Sequence, residues 1–197
     1  MKKTLLLCLG ESGSGKSYYI KNTLPNGLFY NLRSATTRPM RQGESEGNPY
    51  FFRNEDFFLT EPMCTKLWVN QQFWTPDIPK WLYGVPEFEV MNNLGQNLVY
   101  DVIQPKYARQ LIDWFEKKGL HREYNYKVAY FLASANNLDV AAGRANMPND
   151  TDVRRTNTCT PYDFLAAGLD IDYLLKPMDN MYNPRLTAHI KRLQKQK

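Results

Sequence analysis

The stretch Gly10-Glu11-Ser12-Gly13-Ser14-Gly15-Lys16-Ser17 decides the fold of this chain. It has the spacing G-x-x-x-x-G-K-S, it follows the apolar run at residues 5–9, and a helix-compatible segment at 17–22 comes directly after it. A strand, a glycine-rich turn and a helix start are the context of a phosphate-binding loop. The pattern therefore predicts a nucleoside triphosphate site rather than an ordinary Gly/Ser turn.

Each residue type in this loop has a chemical reason. Gly10, Gly13 and Gly15 allow backbone conformations that are closed to other residues, so that successive N–H groups can converge on phosphate oxygens. The helix that follows presents its free N–H groups and its dipole to the same anion. In this pattern Lys16 reaches the β- and γ-phosphates, and the Ser17 hydroxyl is a ligand of Mg²⁺.

The composition is that of a globular protein with anionic ligands. A chain of 197 residues, 43% hydrophobic and 23% charged, predicts one core, with room for an inserted lobe or a lid. The net charge of +5 and the pI near 9.0 suit both nucleotides and nucleic acid. Charge alone therefore does not choose between these two ligand classes.

The cysteines predict a reducing compartment. Cys8, Cys64 and Cys159 are widely spaced, no pair has C-x-x-C spacing, and the chain has two histidines. This pattern favours neither structural zinc nor a disulfide framework. No window is apolar enough for a membrane span, and the apolar run after Lys2-Lys3 is too short for a secretory leader. We therefore expect a cytoplasmic protein that does not associate with membranes.

Hydrophobic patterns predict apolar strands that alternate with amphipathic helices. Strands are expected at 5–9, 28–31, 97–102, 126–132 and 171–175, and helices at 17–22, 55–58, 87–93, 105–118, 161–167 and from 184 onward. The tryptophan- and proline-rich segment 66–86 has no clean period and is interpreted as irregular. Such alternation predicts an α/β fold with a mostly parallel sheet covered by helices on both faces. Ligands should then gather at the carboxyl ends of the strands.

A second candidate phosphate site lies between residues 34 and 52. Arg38 and Arg41 flank Pro39 in a turn-rich segment, and Tyr50 supplies a hydroxyl at the start of a strand. Two guanidinium groups and a phenol suit a dianionic phosphate monoester, because arginine binds phosphate bidentately and stays charged. Composition alone would instead favour a solvated basic loop.

The order of residues favours the phosphate site. The pattern Ser34-x-Thr36-Thr37-Arg38-x-x-Arg41-x-Gly43-Glu44-x-x-Gly47-x-x-Tyr50-x-Phe52, downstream of the G-x-x-x-x-G-K-S loop, resembles the signature of the guanylate kinase family. Looser matches follow at Tyr83-Gly84, Asp101, Arg144, Asp150-Thr151-Asp152, Arg154-Arg155 and Asp172-Tyr173. The resemblance runs from about residue 4 to about residue 193 and is strongest through residue 52.

This resemblance implies a single kinase domain of the P-loop NTPase type with three parts. The core would comprise 1–32 and 92–197 with a lid at about 139–157, and a nucleoside-monophosphate-binding lobe would span 33–91. The residues implied to hold the acceptor phosphate are Arg38, Arg41, Tyr50 and Tyr83. Ser34 would touch the base, and Asp101 would lie near the base or the Mg²⁺. Those implied to surround the transferring phosphoryl group are Lys16, Arg144, Arg154 and Arg155.

The activity implied by the resemblance is transfer of the γ-phosphoryl group of ATP to GMP or dGMP, with Mg²⁺ as cofactor. Three departures concern the base: Val85 replaces a hydroxyl residue after Tyr83-Gly84, residues 68–80 contain Asp77 but no glutamate, and the strand ending at Asp101 has one acid instead of two. A site without the guanine-reading carboxylate loses discrimination.

Three alternatives therefore stay open. They are a monophosphate kinase with altered or broader base specificity, an inactive guanylate-kinase-like binding module, and an ATPase acting on nucleic acid. The intact Lys16 and Ser17 weigh against the module. No aromatic and basic platform for a nucleic acid polymer accompanies the charge.

Overall fold

A computed structural model describes residues 2–11, 13–69, 81–102, 104–132, 159–176 and 182–196. The strands of its larger sheet are β1 (Lys3–Leu9), β2 (Phe29–Asn31), β7 (Asn97–Val102), β8 (Tyr124–Phe131) and β9 (Tyr173–Leu175). The strands of a smaller sheet are β3 (Ala35–Thr36), β4 (Phe51–Phe52), β5 (Leu67–Val69) and β6 (Trp81–Gly84). The helices are α1 (Lys16–Asn22), α2 (Glu55–Thr60), α3 (Glu87–Met91), α4 (Pro105–Lys117), α5 (Pro161–Ala166) and α6 (Pro184–Gln194), with a 3₁₀ turn at Leu120–Arg122.

The larger sheet is parallel, with strand order β2-β7-β1-β8-β9. The central strand β1 is buried along its whole length after Lys3. Leu5, Leu7 and Leu9 face one core cluster, and Leu6 and Cys8 face another. A strand buried on both faces needs a continuous apolar run rather than an alternating one, which explains why this segment predicts the centre of the sheet.

Helices cover both faces of this sheet. On one face α4 buries Leu111 and Phe115 in the same cluster as Phe164 of α5. On the other face Tyr19 of α1 packs in one cluster with Leu186 and the other apolar residues of α6. The predicted α/β layering is therefore confirmed. Among the described residues, no helix combines the length and apolar character needed to cross a bilayer.

The smaller sheet corrects the prediction that residues 66–86 are irregular. Its order is β4-β3-β6-β5, and β6 pairs antiparallel with both β3 and β5. Trp81 and Leu82 are both buried, so neighbouring residues are apolar without alternation and the strand period is hidden. Residues 70–80 of the predicted irregular segment lie outside the described part.

Three helix starts show how local sequence sets element boundaries. The Asn54 side chain accepts a hydrogen bond from the Phe57 N–H at 3.1 Å, as expected for the cap of α2. At α3, Pro86 is the N-cap, and the helix begins at Glu87, where the predicted helix also begins. Thr160 and Asp163 form a capping box that begins α5.

Candidate active site

The phosphate-binding loop leaves the carboxyl end of β1 and leads into α1. Gly10 has φ of 148°, and a Cβ atom there would overlap the carbonyl oxygen of Phe131 on β8. This position therefore requires glycine on grounds of both space and conformation. Lys16 is 6% exposed, and its ammonium donates to the carbonyl oxygens of Gly10 at 2.7 Å and Glu11 at 2.8 Å.

Asp101 lies beside this loop because β7 pairs with β1 in a register that sets Asp101 opposite Cys8. The Ser17 hydroxyl donates to Oδ2 of Asp101 at 2.6 Å, and Nζ of Lys16 lies 3.9 Å from Oδ1. A hydroxyl and a carboxylate are hard oxygen ligands of the kind that Mg²⁺ takes together with phosphates and water. The described residues contain no cluster of three or more His, Cys, Asp or Glu side chains that could hold a metal alone. The pair fits a Mg²⁺ ion that is held jointly with a nucleotide.

The candidate phosphate site at residues 34–52 is called the acceptor segment below. Arg38 is its most deeply buried cation. Its side chain is 1% exposed, and Nη2 donates to Oε1 and Oε2 of Glu44 at 2.8 and 3.0 Å. Nη1 donates to the Pro39 carbonyl oxygen at 2.6 Å, and the guanidinium lies 5.4 Å from the centroid of the Tyr50 ring. The arginine is therefore fixed before any ligand is bound.

No site role was predicted for Glu44 from the sequence, although Glu44 stands in the matched pattern. Besides Arg38, its Oε2 accepts from the backbone N–H of Arg41 at 2.8 Å. Burial alone would raise the pKa of Glu44, but the hydrogen bonds from Arg38 and Arg41 outweigh it and lower the pKa. Glu44 is thus an ionised carboxylate that holds both arginines in one turn.

Tyr50 and Tyr83 meet above Arg38. Their ring centroids are 5.7 Å apart in an edge-to-face arrangement, and strand pairing sets Tyr83 opposite Thr36. Burial raises the pKa of both phenols, while the charges of Arg38 and Arg41 lower it in part. Both hydroxyls are therefore neutral donors at neutral pH, as a phosphate ligand requires.

A group of neutral hydroxyls adjoins this cluster. Burial raises the pKa of the Tyr100 phenol, and the nearby side chains of Thr65 and Ser34 lower it in part. The Thr65 hydroxyl accepts from the Val85 N–H at 3.0 Å. Thr65 and Tyr100 were not predicted as site residues, because a neutral side chain in an apolar stretch carries no signal of binding. Val85 has a fully buried side chain in the core, so it offers no polar contact where a hydroxyl residue was expected.

One cavity of about 730 Å³ joins the two phosphate-site candidates. Its walls include residues of the phosphate-binding loop, of the acceptor segment and of the strands β6 and β7. Among them are Lys16, Ser17, Ser34, Arg41, Tyr50, Tyr83, Tyr100 and Asp101. Arg38 is not among the described lining residues and lies behind the wall that Tyr50 forms. Arg38 thus lies beneath the surface of one space, and the predicted site residues around that space are Gly13, Lys16, Ser17, Ser34, Arg41, Tyr50, Tyr83 and Asp101.

Several predicted residues lie outside the described part of the chain. They are Ser12 of the loop, Asp77, the lid at about 139–157, and the arginines Arg144, Arg154 and Arg155. All three cysteines are buried and free.

No family model matches this chain. Among individual proteins, it is 30% identical over 105 residues to a guanylate kinase of Clostridium tetani, which covers 52% of this chain and 48% of that protein. It is 36% identical over 117 residues to one of Carboxydothermus hydrogenoformans, covering 56% and 52%. The matches thus span about half the length of these two relatives.

A longer match extends to a guanylate kinase of the Onion yellows phytoplasma. It has 31% identity over 163 residues and covers 69% of this chain and 73% of that protein. The crystal structure of guanylate kinase from Anaplasma phagocytophilum aligns over all of this chain and 87% of its own, with a TM-score of 0.50 and 16% identity. The structural likeness supports the fold, and the phytoplasma match extends the relationship to most of the sequence. This chain belongs to the guanylate kinase family.

Proposed function

We propose that the protein is an ATP-dependent nucleoside monophosphate kinase that converts GMP or dGMP to GDP or dGDP. One observation carries this proposal: Lys16 and Ser17 of the triphosphate loop and Arg41 and Tyr50 of the acceptor segment line the same cavity. Phosphoryl transfer demands two phosphates aligned in one site with their charge neutralised, more than any covalent chemistry by the protein.

On the donor side, the loop 10–17 holds the ATP phosphates, and Lys16 neutralises charge on the group in transfer. The Lys16 ammonium already lies at the loop, where it is held by two carbonyl oxygens. Ser17 and Asp101 would hold Mg²⁺, which neutralises charge on the phosphates when it is bound. The hydrogen bond between them fixes both oxygens near the loop.

On the acceptor side, Arg41, Tyr50 and Tyr83 hold the monophosphate from the cavity wall, and Arg38 adds positive charge from beneath. An oxygen of the acceptor phosphate attacks the γ-phosphorus, the bond to the β–γ bridging oxygen breaks, and ADP leaves. Ser34 lines the cavity. From there it would contact the base. The buried setting strengthens each of these charge contacts relative to water.

The remaining predictions complete the proposal. Arg144, Arg154 and Arg155 would come from a lid at about 139–157 that excludes water during transfer. The core would comprise 1–32 and 92–197, and the acceptor lobe 33–91. We place the enzyme in the cytoplasm, where its buried thiols stay reduced.

The test is ADP release from ATP and Mg²⁺, measured separately with GMP, dGMP, AMP, UMP, CMP and dTMP. We expect ADP release that depends on an acceptor and is fastest with the guanine nucleotides. Binding of a monophosphate without turnover of any acceptor would instead identify a binding module. ADP release without an acceptor would contradict the kinase.

A further inference from the structure

An ion pair links two connections of the chain between the larger and the smaller sheet. The chain passes to the smaller sheet between β2 and β3 and returns between β6 and β7. Arg33 lies in the first connection, and Glu89 lies on α3 in the second. The Arg33 guanidinium donates to Oε1 and Oε2 of Glu89 at 2.9 and 3.0 Å, and the Arg33 backbone N–H donates to Oε1 at 3.1 Å. One carboxylate therefore holds both the side chain and the backbone of Arg33.

Tyr30 of β2 completes a closed hydrogen-bond network with this pair. Its hydroxyl accepts from Nη2 of Arg33 at 2.7 Å and donates to Oε1 of Glu89 at 3.0 Å. Glu89 is 2% exposed, whereas Arg33 is 36% exposed and still reaches solvent. A buried carboxylate without its cation is strongly unfavourable, so this network favours one geometry.

Arg33 also contacts the acceptor segment. Its guanidinium lies 4.6 Å from the centroid of the Phe51 ring, within the range of a cation–π contact. The Phe51 N–H donates to the Ser34 carbonyl oxygen at 3.0 Å, and Ala35 pairs with Phe51 between β3 and β4. Phe51 directly follows Tyr50, which we assign to the acceptor phosphate. A shift of Arg33 would therefore move the part of the chain that carries Tyr50.

The residues on both sides of Arg33 line the cavity. They are Leu32 and Ser34. The Leu32 N–H donates to the Val99 carbonyl oxygen of β7 at 2.9 Å, so the chain is fixed to the larger sheet up to this point. Arg33 is thus the residue at which the chain leaves the larger sheet and enters the acceptor segment.

The helix that carries Glu89 is itself fixed to the larger sheet. Glu87, the first residue of α3, accepts from the Lys118 ammonium at 2.7 Å and from the Trp114 indole N–H at 3.2 Å. Trp114 lies on α4, and Lys118 directly follows this helix. Val90 is fully buried in the core cluster that α4 also joins. Helix α3 therefore gives Glu89 a fixed position from which it can hold Arg33.

We propose that Arg33 and Glu89 are positioning residues, which set the acceptor segment relative to the phosphate-binding loop. The inference rests on the proposed kinase function and adds a pair that is not among the described residues lining the cavity. Phosphoryl transfer requires two aligned phosphates, and a misplacement of about 1 Å can lower a rate about 100-fold. Loss of the pair should therefore slow transfer to GMP while the ATP site stays intact.

Glu89→Gln tests this role in the full chain. The variant keeps the shape of the side chain, removes its charge, and leaves no buried charge unpaired, because Arg33 reaches solvent. We expect kcat/KM for GMP to fall about tenfold through misalignment of the acceptor. The Kd for ATP, measured by calorimetry, should stay within about twofold, since the loop does not contact the pair. A fall in kcat/KM of less than about threefold, or an equal weakening of ATP binding, would overturn the proposal.

The matched control is Asp172→Asn. Asp172 likewise accepts from a cation and from a backbone N–H, namely Nζ of Lys127 at 2.6 Å and the Val128 N–H at 2.9 Å. It directly precedes β9, at the edge of the larger sheet opposite β2. We expect kcat/KM for GMP to stay within about twofold of the parent value. An equal fall in Glu89→Gln and Asp172→Asn would reflect the loss of any ion pair and would overturn the proposal.

The double variant Arg33→Met with Glu89→Leu separates positioning from stability. Apolar side chains in place of a buried ion pair leave no unpaired charge and often preserve stability. We expect a urea midpoint at least as high as that of Glu89→Gln, but a kcat/KM for GMP that stays about tenfold below the parent value. Recovery of the parent kcat/KM would show that the pair acts only through stability and would overturn the proposal.

Hydrogen exchange separates failure of this inference from failure of the proposed function, because it requires no nucleotide. If the unmodified chain phosphorylates no monophosphate, the kinase proposal fails. Glu89→Gln should still speed amide exchange severalfold within 33–53, where the N–H groups of Arg33 and Phe51 are hydrogen-bonded, and leave β1 unchanged. Unchanged exchange within 33–53, or equally faster exchange in β1, would overturn the positioning role.

Discussion

At the scale of single residues, the site consists of cations whose positions are set by protein partners. The Lys16 ammonium is held by two loop carbonyls and approaches Asp101, and Arg38 is held by both oxygens of Glu44. Fixed charges of this kind need no reorganisation when charge develops on a phosphoryl group in transfer. Their removal should therefore affect kcat as well as substrate binding.

Lys16→Ala removes the ammonium that we assign to the phosphoryl group in transfer. We expect kcat/KM to fall by at least ~100-fold, as when a contact to transition-state charge is lost. Steady-state assays with ATP and GMP measure it. The control is Lys117→Ala, because Lys117 lies exposed on α4 and should leave the rate unchanged. Equal values of kcat/KM for Lys16→Ala and Lys117→Ala would contradict a catalytic role for Lys16.

Arg38→Ala should also lower kcat/KM by at least ~100-fold. The variant removes a buried cation and leaves the Glu44 carboxylate without its main partner, so negative charge would face the acceptor phosphate. Arg122→Ala, in the exposed 3₁₀ turn, serves as the control for loss of an arginine. An unchanged kcat/KM for Arg38→Ala would mean that the acceptor site lies elsewhere.

Glu44→Gln tests whether the carboxylate positions the two arginines. We expect KM for GMP to rise about tenfold with a smaller change in kcat, because charged hydrogen bonds are replaced by neutral ones. Equal falls in kcat and kcat/KM, with KM unchanged, would argue against positioning.

The same residue gives a pH prediction. The pKa of Glu44 is lowered in the folded protein. Its stabilising contribution is therefore present above the unfolded pKa of about 4.3 and is lost as pH falls through the lower folded value. In urea unfolding, Glu44→Gln should show a shallower loss of stability below about pH 4.3 than the parent protein. If the free energy of unfolding fell equally steeply with pH in both proteins, ionisation of Glu44 would not contribute to folding stability.

At the scale of elements, the smaller sheet depends on a close approach between β6 and the segment before β5. A Cβ atom at Gly84 would overlap the carbonyl oxygen of Thr65, and the Thr65 hydroxyl is bonded to the next residue, Val85. Backbone cannot yield as a flexible side chain can. Gly84 thus sets the position of Thr65.

Gly84→Ala should therefore destabilise the protein by about 1–3 kcal/mol, the usual cost of forcing extra volume into a packed site. Urea unfolding measures it. The comparison variant is Gly95→Ala, where φ is +84° but no atom lies within 4 Å, so only backbone strain is introduced. Its cost should be near 1 kcal/mol. If Gly84→Ala left the free energy of unfolding unchanged, β6 and the segment before β5 could move apart without a cost in stability.

Elements with a strong local signal were predictable from sequence. The apolar run at 5–9 predicted strand β1, and the side chains of Asn54 and Thr160 form hydrogen bonds at the starts of the predicted helices α2 and α5. The strands β5 and β6 were missed because their stability comes from pairing with each other and with β3, which no local period records.

At the scale of the whole molecule, an ion pair between a partly exposed arginine and a buried glutamate ties α3 to the parallel sheet. Arg33, just after β2, donates to both oxygens of Glu89 on α3 at 2.9 and 3.0 Å, and Tyr30 of β2 also contacts Glu89. Glu89 is 2% exposed, so its charge requires these partners. The pair fixes α3 against the strand that borders the cavity.

The fold of the whole molecule also explains why sequence predicts some residues of the site and misses others. Lys16, Arg38, Arg41 and Tyr50 were predictable because charged and phenolic groups in a fixed order carry their chemistry in one short stretch. Thr65 precedes β5 of the smaller sheet and Tyr100 lies on β7 of the larger sheet, so only the packing of the two sheets brings them near each other. A contact of that kind depends on the fold, and sequence spacing does not contain it.

The most direct test of the central claim is identification of the products formed by the full chain from ATP, Mg²⁺ and GMP. Nucleotides separated by chromatography should show ADP and GDP in equal amounts, and the Lys16→Ala variant should form neither at a comparable rate. ADP with free phosphate and no GDP, or no turnover of either nucleotide, would contradict the assignment of a guanylate kinase activity.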